Sequence, residues 1–283
     1  MIGITGATGH LGQLTVQALL DRGVPPSEIV ALVRNPEKAS RLTAKSVQVR
    51  HADYTQPETL RVALQGIDKL LLISSNDVAN RVIPQQNVVA AAKQAGVKLI
   101  AYTSILRADT ATMRLAEDHK HTEAAIHESG IPFVFLRNGW YLENYKPTQA
   151  AEHGVIAGSA GDGRVSAAAR ADYAEAAAAV LSQDGHENAI YELGGDEGFT
   201  LGELAAEVQA QSGQPVRYQN LPEADYAAML KGFGLPDAMA EKLADADTKM
   251  EKGALYIDSH DLSRLIGRPT TALSAGVKAA LQD

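Results

Sequence analysis

The chain of 283 residues contains no cysteine. That absence removes disulfides, thiolate nucleophiles, cysteine-bound zinc and cysteine-held iron–sulfur clusters together, and it suits a reducing compartment. Positive charge is scarce too: 26 Lys and Arg stand against 34 Asp and Glu, a formal net charge of −8. No basic cluster offsets this balance, so no nucleic-acid partner is expected. Long apolar runs are missing. Aliphatic runs such as Leu70–Ile73 fall far short of the roughly 20 apolar residues of a membrane helix. No charged leader precedes the first expected strand at Ile2, so no signal peptide is expected. With 45% hydrophobic residues the chain is not a disordered acidic one. A soluble, cytoplasmic, globular protein is expected.

What is present is a regular alternation. Strands are expected at Ile2–Thr5, Ile29–Val33, Val47–Arg50, Leu70–Ile73, Leu99–Tyr102 and Phe133–Leu136. Each is apolar at nearly every residue, the pattern of a parallel sheet covered on both faces. Helix-like stretches between them carry stop signals: Leu11–Leu20 before Gly23, Arg81–Gln94 before Gly96 and Glu117–Glu128 before Gly130. Thr55-Gln56-Pro57-Glu58 and Thr200-Leu201-Gly202-Glu203 read as capping boxes that open further helices. The alanine-rich stretch Asp172–Leu181 reads as a close-packed helix face. Such alternation implies right-handed crossovers and a doubly wound α/β sheet of the Rossmann type. The expected division is a dinucleotide-binding domain over 1–137, completed by a helix and strand from 172–193. A smaller C-terminal α/β substrate lobe takes 138–171 and 194–283.

The sharpest motif is Gly6-Ala7-Thr8-Gly9-His10-Leu11-Gly12, between the first strand and the first helix. Gly6 permits a tight turn, Gly9 lets a pyrophosphate approach the backbone, and Gly12 lets the helix pack against the sheet. The helix N-terminus adds unpaired N–H groups and a positive dipole end. The spacing Gly-x-x-Gly-x-x-Gly points to the short-chain dehydrogenase group. After the second strand comes Arg34, where an acidic residue would bind the ribose 2′-hydroxyl and repel a 2′-phosphate. An arginine does the reverse, with Lys38 as a second cation, so NADPH is the expected cofactor. Asp53 reads equally as an acceptor for the adenine amino group or as a turn aspartate. Ser74, Ser75 and Asn76 leave the fourth strand at its carboxyl end, where an open parallel sheet meets its ligand. Thr103 and Ser104 leave the fifth strand similarly, with nicotinamide contact favoured over loop capping.

Five segments now combine: the Gly6–Gly12 turn, Ala31-Leu32-Val33-Arg34-Asn35-Pro36, Leu70–Ser75, Ala101-Tyr102-Thr103-Ser104 and Leu136-Arg137-Asn138-Gly139-Trp140-Tyr141. Together they resemble the NmrA-like branch of the atypical short-chain dehydrogenases, and within it the quinone- and dye-reducing members. The resemblance extends through Arg170-Ala171-Asp172-Tyr173 and Leu265-Ile266-Gly267. It implies NADPH bound by the first turn and Arg34, with Ser74, Ser75, Asn76 and Asn87 near it. It also implies a substrate site floored by Asn138, Gly139, Trp140, Tyr141, Leu142 and Glu143, over which Arg170, Asp172 and Tyr173 close.

A second absence bears on the chemistry. Short-chain dehydrogenases polarise a carbonyl with a Tyr-x-x-x-Lys pair, and none of the nine tyrosines has a lysine four residues later. That argues against alcohol–ketone chemistry and nucleotide-sugar epimerisation, where a phenol of lowered pKa must move a proton. A quinone accepts hydride readily, and its oxyanion can take a proton from water. Such a site needs proximity and a few donors. The expected activity is hydride transfer from NADPH to a quinone or similar planar electrophile. Asn138 and Tyr141 would orient the quinone oxygen, and Trp140 would be either a flat wall or a buried core residue. His119 reads as a surface residue ahead of a proton relay, and its spacing from His121 disfavours a metal site. Two rivals stand beside this reading: an NADP(H)-sensing regulator without chemistry, and a reductase of cationic dyes. A homodimer is an open possibility.

Overall fold

Aliphatic runs and glycine-stopped helices assemble as the alternation implies in the computed structural model, which describes residues 1–282. Strands β1 (Ile2–Thr5), β2 (Ile29–Val33), β3 (Gln48–His51), β4 (Lys69–Leu72), β5 (Leu99–Ile105) and β6 (Phe133–Asn138) come first. Among them lie helices α1 (His10–Asp21), α2 (Ser40–Thr43), α3 (Pro57–Ala63), α4 (Val82–Ala95) and α5 (Arg114–Ser129). Then follow α6 (Pro147–His153), β7 (Val155–Gly158), β8 (Arg164–Val165), α7 (Arg170–Ser182), β9 (Ala189–Leu193) and β10 (Phe199–Thr200). The chain ends with α8 (Leu201–Ser212), β11 (Arg217–Asn220), α9 (Glu223–Gly232), α10 (Asp237–Glu251), α11 (Asp261–Ile266) and α12 (Leu273–Gln282).

Seven strands form one sheet in the order β3-β2-β1-β4-β5-β6-β9. The pairs β1–β2, β1–β4, β2–β3 and β4–β5 are parallel. The order reverses between β1 and β4, the kind of switch point where the carboxyl ends of strands receive ligands. The expected doubly wound α/β fold is therefore observed. No helix among the described residues is long and apolar enough to cross a membrane.

The chain divides into two compact units. The first comprises Met1–Ser104, Asp118–Arg137 and Tyr173–Tyr191. All five residues of β2 and all seven of β5 are buried, so both faces of the central sheet are covered. Leu60, Leu64, Leu70, Leu72, Ile100 and Phe135 share one hydrophobic cluster there, each burial stabilising by roughly 1.5–3 kcal/mol. Strand β3 departs from the expected continuous burial: none of its residues is fully buried, because it is the edge strand. The alanine run of α7 is a packing face as expected, with Ala176 through Leu181 all buried.

The second unit comprises Ile105–Glu117, Asn138–Asp172 and Glu192–Asp283. It holds the parallel pair β7–β11, the antiparallel pair β8–β10, and α8 packed on α6 and α12. The Thr200 capping box is present in full. The one expected at Thr55 is not, since Gln56 is the N-cap of α3 and its side chain makes no capping bond. Asp53 has taken Thr55 instead, accepting its N–H at 2.9 Å and its hydroxyl at 2.8 Å. An aspartate two residues upstream offers the backbone a turn that competes with the cap.

Candidate active site

The first unit builds Gly6–Gly12 as strand, bend and helix start. Gly6 has φ +57°, which an L side chain rarely adopts. Gly9 is the N-cap of α1, and its N–H donates to the Gly6 carbonyl at 2.9 Å. No side chain caps this 12-residue helix and no acid lies in its first turn. A Cβ on Gly12 would lie 2.4 Å from Gly6 O and 2.7 Å from Ala7 Cα. Gly12 therefore lets α1 close on its own turn, a tighter constraint than packing on the sheet. Ala7 and Leu11 are buried, so they offer main chain alone, while Thr8 is half-buried and His10 exposed. An uncapped helix N-terminus whose first turn leaves no room for a Cβ at Gly12 fits a pyrophosphate.

Arg34 and Lys38 stand exposed just beyond β2. Asn35 between them accepts the Glu37 N–H at 3.1 Å and fixes the bend. Burial pushes the Asp53 carboxyl up, yet hydrogen bonds from Thr55 and the field of Arg34 outweigh it and leave it below the ordinary value. Its oxygens also accept from Gln56 Nε2 at 3.3 Å. These are the bonds of a turn aspartate.

At the carboxyl edge of β4 the chain leaves the sheet without losing its partners. Thr5 Oγ1 donates to Leu71 O at 3.0 Å and accepts the Ile73 N–H at 2.9 Å. Tyr54 donates to Ile73 O at 2.9 Å, and Asn87 Nδ2 donates to Tyr54 O at 3.0 Å. Thr103 Oγ1 accepts the Ser74 N–H at 2.9 Å, which is the loop-capping role rather than the favoured nicotinamide contact. Gln85 Oε1 accepts the Ser75 N–H at 3.0 Å, while the Ser75 hydroxyl accepts the Asp77 N–H at 3.1 Å. The segment from Ile73 to Ser75 is thus held by buried side chains on three neighbouring elements. Asn76 is exposed.

In the second unit Asn138 Nδ2 donates to the Tyr141 hydroxyl at 3.2 Å. Asn138 is only 4% exposed, and its Oδ1 has no hydrogen-bond partner. A buried polar atom left unpaired is costly, which makes it a marker for a ligand contact. Burial raises the Tyr141 phenol above its ordinary value, the Asn138 bond and the Arg170 charge pulling it back in part, so it stays a neutral donor. The Arg170 guanidinium lies 4.8 Å from the Tyr141 ring centroid. Glu143 accepts the Arg170 N–H at 2.9 and 3.1 Å. Gly139 donates to Leu193 O, Leu142 to Ala168 O and Ala168 to Trp140 O, at 2.7, 3.0 and 3.1 Å. Segment 139–142 is therefore laced in place. Trp140 is half-buried and Leu142 buried.

Two expected substrate residues need correction. Asp172 is fully buried, its carboxylate held by Arg268 at 2.8 Å and by the Thr271 N–H and hydroxyl at 2.8 and 3.0 Å. It pins the C-terminal segment and has no surface to offer a substrate. Tyr173 belongs to the first unit and is 1% exposed.

The NmrA-like family model matches residues 1–273. The chain belongs to this family. It is 55% identical over 279 residues to quinone oxidoreductase 2 of Escherichia coli (strain K12), covering 98% of this chain and 97% of that protein. The structure of the Escherichia coli NADPH-dependent quinone oxidoreductase complexed with NADPH matches at a TM-score of 0.94 and 54% identity, over 99% of both chains. Triphenylmethane reductase of Citrobacter sp. complexed with NADP(H) matches at a TM-score of 0.92 and 42% identity, over 99% of this chain and all of the other.

This NmrA-like chain fills the helix that carries the dyad elsewhere with a buried polar stripe. His119, Thr122, Glu123 and Ile126 recur at helical spacing on α5 and all are buried. His119 Nδ1 shares a hydrogen bond with the Tyr102 hydroxyl at 2.8 Å, so the expected surface histidine is an interior one. Gln85 Nε2 donates to Thr122 Oγ1 at 2.7 Å. Glu123 accepts from Arg137 Nη2 at 2.7 Å and Nε at 3.0 Å, and from the Ser104 hydroxyl at 2.6 Å. Tyr102, Ser104 and Arg137 lie in segments that carry the family resemblance, whereas Gln85, Thr122 and Glu123 lie in no motif. Their signal was a polar side chain inside an otherwise apolar helical stripe, as with Gln85 ahead of Val88, Val89 and Ala92 on α4.

Proposed function

We propose that this chain is an NADPH-dependent reductase that delivers hydride to a quinone or a similarly planar electrophile. The observation that carries the reading is the 55% identity, over nearly the whole of both chains, to a protein named for quinone reduction. The first unit supplies what such a reductase needs: the Gly12 constraint, the uncapped start of α1 and the exposed Arg34. The regulator reading is not favoured, because relatives matched end to end are named as reductases.

Bound NADPH supplies the hydride. The backbone of Gly6 to Gly12 binds the pyrophosphate, and Arg34 with Lys38 takes the 2′-phosphate. Asp53 fixes the turn after β3 through Thr55, and Asn87 and Thr103 hold the main chain that the nicotinamide half rests on. Ser74, Ser75 and Asn76 contact its ribose. Asn138 and Tyr141 orient the quinone oxygen with donors already in place, which lowers the barrier without a dedicated acid. Trp140 gives the ring a flat wall, with Gly139, Leu142, Glu143 and Arg170 around it. The proton comes from water. A cysteine-free chain that draws on the NADPH pool belongs in the cytoplasm.

The test is NADPH oxidation, followed by absorbance, against a series of neutral quinones. Turnover with NADPH well above that with NADH is expected. No oxidation across the series would return the regulator reading to the front.

A further inference from the structure

We propose that Arg170 selects the acceptor by charge, favouring neutral and anionic quinones and turning away cationic dyes. The inference rests on the reading that Asn138 and Tyr141 hold the acceptor. Its geometry lies wholly within the second unit. The guanidinium sits 4.8 Å from the centroid of the Tyr141 ring, inside the range where a cation is drawn to an aromatic face. That face is therefore already taken by a positive charge. A planar dye cation would have to displace the arginine or stack beside it, and either costs binding.

The opposing charge nearby is Glu143. Its carboxylate is engaged by the Arg170 main-chain N–H. At the Tyr141 hydroxyl the pull of Arg170 outweighs the push of Glu143. Arg170 Nη2 also donates to Asn144 Oδ1 at 3.4 Å, which steadies the guanidinium without neutralising it. The Arg170 guanidinium over the Tyr141 ring is thus the charge that an acceptor placed there would meet.

The two acceptor classes respond to that charge in opposite ways. A neutral quinone that takes a hydride becomes a hydroquinone anion, which then takes one proton from water. Negative charge grows on the acceptor, and a fixed cation lowers the barrier. A cationic dye that takes a hydride becomes neutral. Positive charge disappears from the acceptor, so the arginine offers no gain in the transition state and repels the reactant. An anionic quinone adds attraction in the ground state to the gain during transfer.

The experiment compares kcat/KM for menadione, anthraquinone-2-sulfonate and crystal violet in the wild type, Arg170→Gln and Arg170→Lys. In Arg170→Gln the ratio of anthraquinone sulfonate to crystal violet is expected to fall by about tenfold or more, the scale of one partly screened charge a few ångströms away. Arg170→Lys should keep the wild-type order. A common loss across all three acceptors, or a rise in the KM for NADPH with the ratio unmoved, would overturn the proposal. Titration calorimetry of anthraquinone-2-sulfonate into the NADP⁺-loaded protein reads the same charge without turnover. It should weaken about tenfold in Arg170→Gln, and equal affinity would also overturn the assignment. If that variant does not fold, the wild-type ratio should shrink with added salt, since a half-exposed charge is screened. A ratio indifferent to salt sinks the idea. Failure of menadione turnover in the wild type would instead strike the proposed function, leaving the binding comparison to judge Arg170.

Discussion

In the first unit the side chains at the carboxyl edge are committed to the backbone: Thr103 to Ser74, Gln85 to Ser75, Tyr54 to Ile73. Its buried charges are paired, Glu123 with Arg137 and Arg81 with Asp118. In the second unit Asn138 keeps an amide oxygen without a partner, and Asp247 is a buried carboxylate whose bond is to a main-chain N–H of Ser159. Asp172 in the second unit is paired as fully, with Arg268 and Thr271, so the difference in finish lies at Asn138 and Asp247. A cofactor of fixed shape is served by an edge set in advance, because nothing then has to be ordered on binding. The acceptor site proposed for the second unit keeps polar capacity in reserve at Asn138.

The largest effect expected from breaking that contrast lies at Gly12. In Gly12→Ala the new Cβ meets backbone rather than a side chain that could swing aside. The turn and α1 must part. NADPH affinity should fall on the order of a hundredfold, with a stability loss of roughly 1–3 kcal/mol. Fluorescence titration and a thermal melt read the two. Affinity retained within about threefold would mean that the turn is plastic and the first unit is not preset.

Next comes Arg34. Removing a cation that serves the 2′-phosphate should weaken NADPH by roughly ten- to a hundredfold and leave NADH almost as it was. Arg34→Asp should go further and favour NADH. Equal losses for both dinucleotides would take the phosphate away from Arg34 and leave the helix start as the anion site alone.

The unequal finish also explains what the sequence could disclose. The turn was legible because glycine spacing reports a backbone constraint, and Gly12 shows that constraint as a distance. The central strands were legible because burial on both faces keeps their runs largely apolar, with polar residues gathered at the carboxyl ends; β3, at the edge, broke the rule. Thr55 misled because a cap and an Asx turn use the same residue types, and only the bonds of Asp53 separate them. Asp172 misled because its neighbours marked a site, whereas its partners Arg268 and Thr271 lie about a hundred residues on. Glu123 stayed hidden for a similar reason: a buried ion pair with Arg137 is written in two elements and advertised by neither. Asn138 was picked out by resemblance, and its unpaired oxygen is an observation that no pattern of residues contains.

A smaller effect is expected at Asn138. Asn138→Ala removes the donor that fixes the Tyr141 phenol, so quinone turnover should fall about tenfold. NADPH affinity, measured by fluorescence titration, should hardly move. That split separates the two units: a parallel loss in cofactor affinity would place Asn138 with the cofactor, and an unaltered turnover number would dismiss its role.

The smallest effect concerns stability and contrasts the paired charges of the first unit with Asp247 in the second. Burial raises the Asp247 carboxyl to about 6 from 3.8, and the Ser159 N–H offsets only part of that. A folded value above the unfolded one means that the native state favours the proton. Its contribution is present in full below the unfolded value and is lost as pH rises from about 4 through 6. Above that the native state carries a buried negative charge. Asp247→Asn is neutral throughout and keeps an oxygen for the Ser159 N–H. The Tm of the variant relative to wild type should therefore be higher at neutral pH than near pH 4, by a few degrees for a shift on the order of 2 kcal/mol. A gap that does not change with pH would mean that Asp247 finds a counter-charge in solution, and the second unit would then be finished as tightly as the first.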